Sequence, residues 1–170
     1  MWKMMGCVLV LSGAAGIGWS MCESMENRIR QLDILRFLFS VVGSEVEYHN
    51  AVLPEALRRA QQQLGDILGE RLMKVYERNV LGERLEDIWD EEMEIWLKVS
   101  ALSEKEKQLV RRFPECIGFT DGKMQLKQIR YMETEILKAW KNAREETDSK
   151  KKMVMSLCVS AGFFAVILLV

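Results

Sequence analysis

Residues 83–99 read ERLEDIWDEEMEIWLKV. Leu85, Ile88, Trp89, Met93, Trp96 and Leu97 recur every three or four positions, with acids between them. That period belongs to a helix with one buried face; a strand would alternate at every residue. The same period continues on both sides. Upstream, Leu32, Leu35, Phe39, Val42 and Val46 form a stripe that Ile34, Leu38 and Val41 widen. This predicts a first helix to about Tyr48 and a turn through His49, Asn50, Ala51 and Val52. Pro54 suits the first turn of a second helix, where its missing N–H would be unpaired anyway. That helix runs to about Leu64, before Gly65. A third covers 66–80, with Ile67, Leu68, Leu72, Val75 and Tyr76 inward, and Leu81-Gly82 breaks it. Downstream, Ser103 and Glu106 have capping-box spacing and open a fifth helix. It is expected to end near Gly118, with a kink or an early end at Pro114. Thr120 or Asp121 caps a sixth, with Leu126, Ile129, Met132, Ile136 and Trp140 as its stripe. No break separates that helix from the last apolar run. The predicted fold class is all-α, a bundle of about six helices.

The 170 residues carry 24 Lys+Arg and 25 Asp+Glu, a net charge of -1. The distribution is uneven. Only Lys3 is charged within residues 1–22, and nothing is charged within 153–170. Residues 23–152 are therefore about 37% charged, against roughly 25% for an average soluble domain. Met4–Cys22 would span roughly 28 Å as a helix and Met153–Val170 about 27 Å, close to the ~30 Å hydrocarbon core. Trp2 and Trp19 flank the first stretch, where indoles favour the headgroup zone. A cleaved signal peptide is the alternative for residues 1–22, but no clean small-x-small site follows. The expected organisation is a transmembrane helix at 1–22, a cytoplasmic helical domain at 23–152 and a second transmembrane helix at 153–170.

Lys138, Lys141, Arg144, Lys150, Lys151 and Lys152 precede the second apolar stretch, and Arg28, Arg30 and Arg36 follow the first. The positive-inside rule puts this central part in the cytoplasm. Ser12/Gly16, Ala14/Gly18, Ser156/Ser160 and Ala161/Ala165 are small-residue pairs at helical spacing, which let membrane helices approach closely.

Motifs for catalysis do not assemble. His49 is the single histidine, so the usual histidine-rich metal patterns cannot form. Cys7, Cys22, Cys116 and Cys158 make no C-x-x-C pair, and a cytoplasmic Cys116 would be reduced. Gly118–Lys123 is one residue short of a phosphate loop, and Met124 replaces the required Ser or Thr. No catalytic residue, cofactor or metal is expected, and the near-zero charge balance argues against nucleic acid. The acidic run Glu86-Asp87, Asp90-Glu91-Glu92 and Glu94 reads as a solvated face or as a docking surface for a basic partner. Glu91, Glu92 and Glu94 are its candidate partner-binding residues. Arg58 and Arg59, with Lys74, Arg78, Arg111 and Arg112, are candidates for a complementary patch.

Three groups of residues carry a family resemblance. One is Arg30-Gln31-Leu32, Leu35, Leu38, Glu45-Val46, Tyr48 and Leu53-Pro54-Glu55-Ala56-Leu57. The second is Gly82, Leu85 and Trp89. The third is Gly118-Phe119-Thr120-Asp121 with Gln125 and Ile129, a G-x-S/T-D-x-x-x-Q-x-x-x-I pattern. In order and spacing they resemble the stage III sporulation protein AB family, over nearly the whole chain. Pro114 departs from the glycine expected in the segment before Gly118. Leu53, Pro54, Glu55, Leu57, Gly118, Asp121 and Gln125 read as structural: core plugs, a charge at a helix start, and a cap. The resemblance implies a mother-cell membrane protein around the forespore, in the assembly joining the two cells. It implies similarity to the type II secretion F platform protein and a partner ATPase of secretion type, stage III sporulation protein AA. Other stage III sporulation membrane proteins and lipid complete the implied partners, and a homo-oligomer stays open. The reading is a non-enzymatic scaffold; the alternative is a membrane-anchored adaptor recruiting a soluble partner through the acidic helix.

Overall fold

The computed structural model describes residues 2–49, 51–64, 67–116 and 122–169, and among these there is helix and turn but no strand. Six α-helices follow in order: α1 (Trp2–His49), α2 (Leu53–Gln61), α3 (Ile67–Val80), α4 (Leu85–Val99), α5 (Glu104–Arg111) and α6 (Gly122–Leu169), with a short 3-10 helix at Phe113–Cys116 before the last. His49 closes α1 instead of opening the turn. Helix α5 ends at Arg111, well short of Gly118. Proline disfavours helical geometry in the residue before it and cannot donate a backbone hydrogen bond, so the chain tightens to 3-10 pitch around Pro114. The capping box forms: the Ser103 N–H donates to Glu106 Oε2 at 2.7 Å. The expected caps Thr120 and Asp121 lie outside the described residues.

The chain divides into two compact units. One is Arg30–Trp140. Its core is the sum of the apolar stripes. Leu32, Leu35, Leu38, Phe39 and Val42 of α1 are fully buried, as are Leu68, Leu72 and Val75 of α3 and Ile129 and Ile136 of α6. All six inward positions of α4 are buried. At the centre Phe113 packs on Trp89 with ring centroids 4.4 Å apart and on Phe39 at 5.4 Å. Such pairs add about 0.5–1.5 kcal/mol beyond their area. The Trp89 indole N–H donates to the Val110 carbonyl at 3.0 Å, so its polar end is satisfied in the core. Within this unit α1 and α6 run antiparallel: the Arg36 guanidinium lies 4.8 Å over the Trp140 ring, and Arg130 bonds Glu47.

The other unit comprises Met1–Ile29 and Lys141–Val170. Arg28 meets Glu146 at 3.2 Å, Lys151 meets Glu26, and Ala143 and Thr147 are buried. Among the described residues no helix is long and apolar enough to cross a membrane. The two expected transmembrane helices fall largely on residues whose side chains lie outside the described set.

Candidate functional site

A groove of about 450 Å³ opens in the Arg30–Trp140 unit, where the end of α1, the approach to α2 and the start of α6 meet. Val46, Glu47, Ala51, Val52, Gly122, Lys123, Gln125 and Leu126 line it. Its walls mix aliphatic carbon with one amide, one ammonium and one carboxylate, and the Glu47 carboxylate is held by Arg130.

The motif residues build this corner. Leu53 and Leu57 are buried and anchor α2, and Pro54 sits in its first turn. Glu55 accepts from Arg58 Nη2 at 2.6 Å and from Arg59 Nε at 3.2 Å, and Arg59 Nη1 reaches Glu45 at 2.7 Å. That array ties α2 to the end of α1. The hydrogen bond from Arg58 chiefly, then that from Arg59, holds the Glu55 carboxyl down at about 2, against partial desolvation. Gln125 lines the groove, while Gly118 and Asp121 lie outside the described residues.

The candidate partner-binding residues are all engaged within the chain. Glu92 is buried and accepts from Arg71 at 3.2 Å and Arg78 at 3.4 Å. Glu91 meets Arg78 at 2.8 Å, and Glu94 meets Arg111 at 3.0 Å. Arg58 lies 5.7 Å from the Tyr76 ring centre. Arg58, Arg59, Arg78, Arg111 and Arg112 each answer acids near them, so the arginines do not gather into one basic patch.

Arg78, a candidate for the complementary patch, does meet the α4 acids at Glu91. Two features were not anticipated from the sequence. Arg71, two helical turns before Arg78, binds Glu92 of α4; the seven-residue spacing was the available signal. Among the described residues Asp90 is the α4 acid with no ion pair. Partial burial and repulsion from Asp87, Glu86 and Glu94 push its carboxyl up. Among the described residues no group of three His, Cys, Asp or Glu side chains is placed to hold a metal ion.

The fold defines a class: among the described residues, an all-α bundle. Within that class the chain belongs to the stage III sporulation protein AB family, whose sequence profile matches residues 3–170. Stage III sporulation protein AB of Bacillus subtilis (strain 168) is 23% identical over 171 residues, covering 99% of each chain. A solved structure of a stage III sporulation protein AB superposes with a TM-score of 0.64 at 20% identity, covering 72% of this chain and 97% of that one. That likeness shows the fold.

Proposed function

We propose that this chain is a membrane-held, non-enzymatic scaffold subunit of a secretion-like assembly serving endospore formation. In this reading residues 1–22 and 153–170 span the mother-cell membrane facing the forespore, and the helical domain meets a secretion-type ATPase in the cytoplasm. The observation that carries it is the family match along residues 3–170, both apolar ends included. The motif residues support a scaffold over a reaction centre: Leu53 and Leu57 pack and Glu55 is tied to arginines, so what the motif specifies is shape. Cross-helix pairs such as Arg71–Glu92 and Arg111–Glu94 link neighbouring helices, which suits a body that passes motion by contact. A partner meeting α4 would find Asp90 without an ion pair among the described residues, while Glu91, Glu92 and Glu94 already have arginines of their own.

The test is deletion of the gene in its endospore-former, with heat-resistant spores counted and engulfment imaged. The scaffold reading expects engulfment to finish and forespores then to fail. Normal spore counts from the deletion strain would end it.

A further inference from the structure

The turn between α3 and α4 holds two large aliphatic side chains in solvent. Leu81 is 81% exposed, the most of any large hydrophobic side chain among the described residues, and Val80 beside it is 66% exposed. The turn that holds them is fully bonded. The Gly82 N–H donates to the Asn79 carbonyl at 3.0 Å and the Glu83 N–H to the Arg78 carbonyl at 3.3 Å, the paired bonds of a Schellman ending, with Gly82 at φ 95. An apolar contact usually closes that motif between the residues Arg78 and Glu83 occupy here. In this chain an ion pair closes it instead, and Arg78 reaches on to Glu91 of α4. The Asn79 side chain adds a bond to the Glu83 carbonyl. A charged latch thus does the work an aliphatic contact would do, and Val80 and Leu81, at other positions of the motif, face solvent.

The surroundings say what kind of partner fits. Residues 77–91 hold six carboxylates and two guanidiniums. Glu86, Asp87 and Asp90 follow the turn on α4, where Arg84 serves both Glu86 and Asp87, and among the described residues no cation pairs with Asp90. A surface of this sign repels anionic lipid headgroups and favours a cationic protein.

We propose that Val80 and Leu81, flanked by Glu86, Asp87 and Asp90, form a docking knob for a protein partner that presents an apolar pocket rimmed by Lys or Arg. The knob fills the pocket and the acids meet the rim, so contact and charge together set register and encounter rate. The inference rests on the scaffold reading, to which it adds the surface and the chemistry of the partner.

The experiment uses the full chain in its endospore-former, with a photoreactive phenylalanine placed at Leu81 and, in a control strain, at exposed Lys127. Irradiation is expected to link position 81 to another protein through an apolar peptide flanked by Lys or Arg. The adduct is expected to fall about fivefold or more in an Asp87→Lys/Asp90→Lys variant, as when steering charges are reversed, and to be unchanged in Glu70→Lys. Protease resistance of each variant checks that it folds. Adducts to lipid or to a second copy of this chain, no adduct at 81, or an adduct indifferent to Asp87 and Asp90 would each overturn the knob. The deletion strain separates the two ideas: failed sporulation without an adduct removes the knob alone, and normal sporulation removes the scaffold reading.

Discussion

Glu55 takes hydrogen bonds from two arginines one helical turn further on, and Arg59 then reaches back to Glu45 on α1. The ordinary carboxyl value is 4.5 and the folded one about 2. A folded value below the unfolded one means that the contact stabilises the fold fully above about pH 4.5 and is lost as pH falls toward about 2. Thermal midpoints of the full chain in detergent should therefore show Glu55→Gln below the native chain at neutral pH, with the gap closing by about pH 2. A gap that persists unchanged there would mean Glu55 acts through packing and not charge. Trp89 offers a contrasting residue. Its ring is fully buried against Phe113 and its N–H holds the Val110 carbonyl. Trp89→Phe keeps most of the packing and removes one of two donors to that carbonyl, which still takes a backbone N–H at the end of α5, at a cost of about 0.5–1.5 kcal/mol. Trp89→Ala loses the ring as well and costs about 3–5 kcal/mol. Urea midpoints of the two variants would separate the hydrogen bond from the ring.

At the scale of elements, two glycines are required for different reasons. Gly82 ends α3 with φ 95 and open space around it, so only its backbone angle excludes a side chain. Gly69 sits in the first turn of α3, where an added Cβ would stand 2.3 Å from the Leu64 carbonyl oxygen. Gly82→Ala should cost about 1–2 kcal/mol and Gly82→Asn less, because asparagine tolerates the left-handed region. Gly69→Ala should cost about 1–3 kcal/mol through overpacking, and Gly69→Asn more still. Opposite rankings of Asn and Ala at the two sites, read from urea midpoints, check both explanations. The pair also marks how far sequence carries. The Gly82 break was legible, because a glycine after a helical stripe is a known stop signal. Gly69 was not, since its need arises from the path of the chain near Leu64. The stripes of α1, α4 and α6 were legible for the same periodic reason, and the inward positions of α4 are all buried. The partners of Glu91, Glu92 and Glu94 were not. Which arginine meets which acid depends on how α3 and α5 are seated against α4, and a single sequence carries no measure of that. For the candidate site, the structure buries Leu53 and Leu57 and ties Glu55 to Arg58 and Arg59, pairings that a single sequence does not give, while the groove that Gln125 helps to line emerged from the meeting of three helix ends.

For the whole molecule, the decisive question is which side of a membrane the charged residues occupy. Nine Lys and Arg flank the apolar stretches on the side of residues 23–152, and Lys3 stands on the other. Several of the nine have acidic partners nearby: Arg28 with Glu146, Lys151 with Glu26, Lys150 with Glu146. Those pairs would cancel an argument from net charge. They do not cancel the positive-inside rule, which counts Lys and Arg near the ends of a span and gives acids little weight. In the proposed scaffold reading the rule would put residues 23–152 in the cytoplasm, the side on which an ATP-driven partner could reach them. Two single-cysteine chains test this, one keeping Cys116 and one carrying Lys3→Cys, with the remaining cysteines replaced by serine. In intact protoplasts a membrane-impermeant maleimide should label position 3 and spare position 116, and permeabilised cells should label both. The reverse pattern would invert the topology and remove any cytoplasmic ATPase as partner. Labelling of both in intact cells would show that residues 1–22 do not separate the two positions, and the scaffold reading would lose its membrane frame while family membership stood.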